Sequence, residues 1–163
     1  MEETCSVAII GAGIIGCMTA YQLSRYDTDV MVIERFDDVG CGSSKANSGL
    51  IHAGFHPRAG SLKGTSCARG NALYDKLCAD LDVPFKRIGS LYVCFGPTGE
   101  ERMWTKYENG LKNGVPGMRI VTGEEARTIE PRLSPDVTSA LWAPSTAIIS
   151  PFQLVLALYE AST

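Results

Sequence analysis

The sequence predicts an α/β fold. Three features carry that prediction: two short apolar runs that read as buried strands, a helical pattern between them, and a glycine-rich turn where the first run meets the helix. Residues 6–10, Ser-Val-Ala-Ile-Ile, form the first expected strand. Residues 14–25 form the helix, with Ile15, Met18, Leu23 and small residues expected to face inward. Residues 30–34, Val-Met-Val-Ile-Glu, form the second strand after the polar turn Asp27-Thr28-Asp29. Strand, helix and strand together make one βαβ unit. Apolar strands of this kind in a parallel sheet are expected to be covered on both faces.

Gly11-Ala-Gly-Ile-Ile-Gly16 is a G-x-G-x-x-G motif at the strand–helix junction. In that setting the first glycine permits the tight turn. The second lets a pyrophosphate approach the backbone, and the third lets helix and strand pack closely. The amides opening the helix face an anion with partial positive charge. Glu34, 23 residues after Gly11, ends the second strand where a carboxylate accepts from a ribose hydroxyl. These features point to an adenine dinucleotide bound through Gly11, Gly13, Ile14, Gly16 and Glu34. Glu34 disfavours a ribose 2′-phosphate and leaves NAD and FAD. Residues 37–49 then form a long, small and polar loop instead of a second helix. Such a loop is expected to be functional, and its amides and hydroxyls suit the longer cofactor, FAD.

The rest of the chain reads as alternating elements. A helix is expected over 62–81 with Ser61 as cap and Leu73, Leu77 and Leu81 at four-residue spacing. A strand follows over 88–95, then a helix over 100–112 with Met103, Trp104, Tyr107 and Leu111 as core candidates. Thr122-Gly-Glu-Glu125 fits a capping box before a short helix. Strands are expected over 137–142 and 147–149. Ser150-Pro151 reads as a cap with proline at the first position of a last helix. That helix, Phe152-Gln-Leu-Val-Leu-Ala-Leu-Tyr159, is apolar almost all round, which predicts burial on several sides and a chain cut short.

Composition sets outer bounds. The 163 residues are 45% hydrophobic and 20% charged, with a net charge of -3, ordinary for a globular domain. Nucleic acid is not an expected partner, because no basic face is indicated. No apolar run reaches membrane-spanning length. The acidic start Met1-Glu-Glu lacks the basic region of a signal peptide. A cytoplasmic location, or a peripheral one on the inner face of a membrane, is expected. The six cysteines read as free thiols, Cys41 lying in the polar loop. With two histidines and no C-x-x-C pair, no metal site is expected. Nine of the seventeen glycines fall between Gly11 and Gly64, marking tight backbone geometry in the first third.

Glu34-Arg35, Ser43-Ser-Lys-Ala-Asn-Ser-Gly-Leu-Ile-His-Ala-Gly54, Gly60-Ser-Leu-Lys63, Gly70-Asn71, residues 83–90, Glu130-Pro131 and Ile149-Ser-Pro151 together resemble FAD-dependent oxidoreductases of the D-amino-acid-oxidase-like superfamily. The similarity is to anaerobic-type glycerol-3-phosphate dehydrogenases and to L-2-hydroxyglutarate dehydrogenases or oxidases. It extends over nearly the whole chain, but only over the N-terminal portion of those longer proteins. The resemblance implies a Rossmann-like FAD-binding domain, 1–82 with 150–163 returning to it, and part of an α+β substrate domain over 83–149. It implies oxidation of a small anionic secondary alcohol by hydride transfer to flavin. Glycerol 3-phosphate giving dihydroxyacetone phosphate comes first and L-2-hydroxyglutarate second. A non-catalytic dinucleotide-binding module and an NAD-dependent fragment are the alternatives. The electron acceptor would be a quinone, oxygen or a partner subunit.

Individual residues follow from that frame. Ser43, Ser44, Asn47 and Ser48 are candidate hydrogen-bond donors to the cofactor, with Gly49 and Leu50 in the same block. Lys45 is a candidate counter-charge, and Arg35 is expected near adenine. His52 is the candidate catalytic base or flavin contact, because its block resembles the segment beside the flavin ring. Arg58 and Lys63 are lesser candidates for an anionic substrate.

Overall fold

The computed structural model describes residues 4–163. They form two compact units. The first comprises residues up to Gly49 with Asp75–Phe85 and Ile149–Thr163; the second comprises Leu50–Tyr74 and Lys86–Ile148. Leu50–Tyr74 therefore packs with the second unit, whereas the sequence reading put it with the first.

In the first unit, β1 (Val7–Ile10) and β2 (Val30–Ile33) pair in parallel, Val7 opposite Val30 and Ile10 opposite Ile33. Between them runs α1 (Ile14–Leu23). The amide of Gly11 bonds the carbonyl of Ile33 at 2.7 Å and carries the ladder into the glycine turn. Helix α1 buries Gly16, Cys17 and Ala20, so small residues make its inner face. Ile15 is 78% exposed, against the expectation that it faces inward. Gly16, Cys17 and Ala20 occupy the packed face of α1, and Ile15 lies off it. The strands, too, are covered less than expected. Ile10 and Ile33 are exposed, and β1 alternates half-buried and exposed positions.

The last helix, α5 (Pro151–Glu160), starts as expected. Ser150 Oγ accepts from the Gln153 amide, and proline opens the first turn. It packs on α1 and buries Leu154, Val155 and Leu158. Phe152, Leu156 and Tyr159 are exposed, so one face is buried rather than several.

Most of the second unit's strand residues lie in two three-stranded sheets. One has the order β3 (Leu50–Ile51), β8 (Ala147–Ile149), β4 (Phe85–Arg87). The other has the order β5 (Ser90–Cys94), β7 (Ser139–Ala143), β6 (Arg119–Thr122), and both its pairings are antiparallel. The two faces of β7 serve two cores, as the period-two alternation of a strand requires. Leu141 and Ala143 join Met103 of α3 (Pro97–Lys112), Phe55 and Met118. Ala140 joins Val121 of β6 and Ala126 of α4 (Gly123–Ile129), with Trp142 packed against them. The capping box of α4 is complete. Thr122 Oγ1 accepts from the Glu125 amide at 3.2 Å, and Glu125 Oε2 accepts from the Thr122 amide at 2.8 Å.

Three sequence expectations are corrected here. The strand expected over 88–95 is the shorter β5 alone, and Ile88-Gly89 separates it from β4, which was not expected. Gly89 has φ +70°, and a Cβ there would lie 1.9 Å from the Trp142 ring. Helix α2 (Leu62–Asp80) exposes Leu73; its buried positions, Gly64, Asn71 and Cys78, repeat every seven residues on another face. On α3, Met103 is buried and Tyr107 half-buried, while Trp104 and Leu111 are more than half exposed. The apolar content of these helices exceeds the core face they present.

Candidate functional site

The glycine motif, the end of β2 and the polar loop enclose a cleft of about 390 Å³ in the first unit. It is lined by Gly11, Gly13, Glu34, Arg35, Ser43 and Ser44, with Ile10, Ile33, Phe36 and Gly42 completing the wall. That volume is in the range of small-ligand sites.

Two of the three motif glycines answer to a contact and the third to its backbone conformation. A Cβ on Gly16 would sit 1.9 Å from the Gly11 carbonyl oxygen and 3.3 Å from Ile9 Cγ2, so this residue sets the distance between α1 and β1. A Cβ on Gly13 would meet Ser44 Oγ at 3.2 Å, and one on Gly11 would meet nothing within 4 Å. Gly11 has φ +98°, which a side chain would strain. The backbone here stays open to a ligand.

Glu34 ties the two ends of the cleft together. Its Oε2 accepts from the Ala12 amide at 2.7 Å, while Oε1 accepts from the amides of Arg35 at 2.9 Å and Phe36 at 3.0 Å. The Ala12 amide, then that of Phe36, holds the carboxyl below the usual carboxylate range. Oε2 carries one of these three bonds and keeps acceptor capacity for a ligand hydroxyl. The same charge, after burial, pushes the Cys17 thiol up, so that side chain is an inert core group. The Arg35 guanidinium lies 4.6 Å from the Phe36 ring centroid.

The loop over 37–49 is irregular, as expected. Ser44 Oγ accepts from the Ile14 amide at 2.9 Å, so the loop, and not the N-terminal Gly13, caps the first turn of α1. Asn47 braces the loop from within: its Nδ2 donates to the Ser44 carbonyl at 2.8 Å and its Oδ1 accepts from the Gly49 amide at 2.8 Å. Lys45 lines a separate, smaller cleft with Pro151, Phe152 and Leu156. Ser48 is exposed and Gly49 is buried; a Cβ on Gly49 would lie 2.2 Å from the Ile149 carbonyl oxygen. Leu50 begins β3 in the second unit. The structure thus gathers Gly11, Gly13, Glu34, Arg35, Ser43 and Ser44 in one cleft, with Ile14 and Gly16 beneath them, and leaves Lys45, Asn47, Ser48, Gly49 and Leu50 outside it.

His52 belongs to the second unit. Its carbonyl accepts from Asn71 Nδ2 at 3.1 Å, and its exposed ring stands edge-on to His56, with centroids 6.3 Å apart.

The family model for FAD-dependent oxidoreductases of the DAO type matches residues 6–163. The chain belongs to that family. It is 44% identical over 154 residues to the glycerol 3-phosphate dehydrogenase of Caloramator mitchellensis, covering 94% of this chain and 32% of that protein. It is 32% identical over 161 residues to the mitochondrial L-2-hydroxyglutarate dehydrogenase of Arabidopsis thaliana, covering 99% of this chain and 33% of that one. The chain therefore spans about one third of the length of these curated relatives. Among solved structures, the dithionite-reduced L-α-glycerophosphate oxidase of Mycoplasma pneumoniae, with FAD bound, superposes with a TM-score of 0.91 at 29% identity. That match covers 99% of this chain and 43% of the oxidase. The family assignment and the Rossmann-like α/β reading of the sequence agree.

Some residues of this flavoprotein-family cleft have no sequence signal. Ala12 contributes only its amide, which any residue but proline supplies. Phe36 and Gly42 line the cleft through loop geometry. No helix among the described residues is long and apolar enough to cross a membrane.

Proposed function

We propose that this chain binds FAD and serves the oxidation of glycerol 3-phosphate to dihydroxyacetone phosphate. The 44% identity to a glycerol 3-phosphate dehydrogenase across 94% of this chain carries the reading. The cleft supports it through its chemistry: open backbone at Gly11 and Gly13, and an ionised Glu34 with acceptor capacity left over. These features fit the adenine-dinucleotide part of FAD, with Glu34 toward a ribose hydroxyl and the opening of α1 toward the pyrophosphate. Ser43 and Ser44 offer hydroxyls at the same cleft.

When bound, FAD supplies the two-electron acceptor for the carbinol hydrogen. The chain's own part is to hold the substrate's anionic end and to take the hydroxyl proton, for which His52 is the candidate base. Reoxidation calls for a quinone, oxygen or a partner subunit, at a cytoplasmic site or the inner face of a membrane. L-2-hydroxyglutarate is the second substrate reading, favoured by the 32% identity over 161 residues to the plant dehydrogenase.

The test begins with the purified, folded chain. Denaturation should release FAD, measured by absorbance and fluorescence, or the apo chain should take it up when FAD is added. Anaerobic glycerol 3-phosphate should then bleach the flavin faster than L-2-hydroxyglutarate does. A folded chain that neither retains nor binds FAD would overturn the cofactor reading.

A further inference from the structure

We propose that His56 and Lys106, beside His52, form a preformed anion-recognition site in the second unit that takes the phosphate or carboxylate of a small hydroxy substrate. This rests on the reading above that the substrate is a small anionic alcohol.

The groups converge on one aromatic ring. His56 lies 6.1 Å from the Tyr92 centroid at 66°, and Lys106 Nζ lies 5.6 Å from the same centroid. His56 in turn stacks on Phe55 at 4.3 Å and stands edge-on to His52 at 6.3 Å. Lys106 is half-buried, and among the described residues no carboxylate lies within ion-pair distance of it. The sequence places none at helical-neighbour spacing either: positions three and four away are Met103, Asn109, Arg102 and Gly110. A cation with no counter-ion from the protein, sharing the Tyr92 ring with His56, is suited to an anion from solution.

The loop that carries the imidazoles is fixed from below. Asn71 Nδ2 donates to the His52 carbonyl, and Asn113 Nδ2 donates to the carbonyls of Gly54 and Pro57 at 3.0 and 3.1 Å. Both asparagines are buried, and so are Ala53, Gly54 and Phe55, while His52 and His56 are exposed. Burying two amide side chains to hold a six-residue loop, yet leaving its two titratable rings accessible, is the arrangement of a preorganised site. Partial burial, then Lys106 and His52, holds His56 below its ordinary range. That bias favours the neutral imidazole, which offers one N–H. A bound dianion reverses that electrostatic balance and favours imidazolium.

The chain has only two histidines, so their Cε1–H NMR signals are assigned by His52→Gln and His56→Gln. Glycerol 3-phosphate should shift the His56 signal saturably and raise its titration midpoint. L-2-hydroxyglutarate should act more weakly, and uncharged glycerol not at all. Lys106→Met and Lys106→Gln should each weaken glycerol 3-phosphate binding tenfold or more, whereas Lys106→Arg should retain it. Amide spectra of each variant verify folding. No saturable shift with either anion, or a shift as large in both neutral Lys106 variants as in the parent chain, would overturn the proposal. The cofactor reading is scored separately by FAD release. A chain that keeps FAD but shows no His56 response loses only this site, and one that binds the anion without FAD keeps it.

Discussion

Glu34 Oε2 lies 2.7 Å from the amide nitrogen of Ala12, 22 residues earlier in the chain. This bond closes the end of β2 onto the glycine turn. It fixes the spacing between the carboxylate and the opening of α1, the two parts of the cleft that a dinucleotide would bridge.

The charge of Glu34 therefore contributes to stability in a defined pH window. Its folded pKa is lowered, by the Ala12 amide first. The contribution is present above the unfolded carboxylate value of about 4.3 and is lost as pH falls through the folded value. Glu34→Gln keeps one acceptor but loses the charge. The difference in Tm between the parent chain and Glu34→Gln should be largest near neutrality and shrink as pH falls below the usual carboxylate range. Thermal unfolding monitored by circular dichroism from neutral to acid pH checks this. A constant difference across the series would contradict it.

The two later glycines of the motif should respond unequally to alanine. At Gly16 the added Cβ meets backbone, the Gly11 carbonyl oxygen at 1.9 Å, and the helix must move. Overpacking of this kind costs about 1–3 kcal/mol. At Gly13 the Cβ meets only Ser44 Oγ at 3.2 Å, which yields by rotation and gives up its bond to the Ile14 amide, worth about 1 kcal/mol. Urea unfolding should rank Gly16→Ala clearly below Gly13→Ala in stability, and FAD uptake should fall further in Gly16→Ala.

Much of this site was legible in the sequence because its constraints are local. The glycine spacing, the strand before it and Glu34 at the end of β2 each follow from a short stretch of chain. The same holds for the Thr122 box and the Ser150-Pro151 start of α5. What was not legible depends on distant partners. Ile15, Leu73, Trp104 and Leu111 fit helical patterns, but which face is buried is decided by the packed neighbour. On α1 and α2 the chosen face consists of small or polar residues. The break at Gly89 depends on Trp142, 53 residues later. Asn71 and Asn113 act on carbonyls 19 and 59 residues away, which no side-chain pattern announces.

That break gives a second contrast. Gly89 and Gly114 both have positive φ, +70° and +78°. Alanine at Gly114 meets nothing within 4 Å and costs only the left-handed conformation, about 1–2 kcal/mol. Alanine at Gly89 carries that cost and also runs into Cη2 of Trp142 at 1.9 Å, adding about 1–3 kcal/mol. Gly89→Ala should unfold at lower urea than Gly114→Ala, and its tryptophan emission should change in the folded state because the Trp142 ring is displaced. Equal midpoints with unchanged emission would mean that the ring moves aside freely.

Asn71 should be the most sensitive position beneath His52. It is 5% exposed. Its Nδ2 donates to the carbonyls of His52 and Ser145 at 3.1 and 2.9 Å, and its Oδ1 accepts from Arg87 Nη1 at 2.9 Å. Asn71→Ala takes this donor from the His52 carbonyl, leaves the Ser145 carbonyl with Arg87 Nη1, and removes one of the acceptors of that guanidinium. An unsatisfied buried group costs about 1–3 kcal/mol, so a loss of that order is expected. Asn71→Asp restores the acceptor toward Arg87 but not the donor. It should recover part of the stability while the His52 loop stays loosened. Urea unfolding measures the first effect. Amide hydrogen exchange across residues 52–57 measures the second and should be faster in both variants than in the parent chain. If Asn71→Asp restored the loop's protection in full, its hold on His52 would lie in the Arg87 pairing and not in the amide.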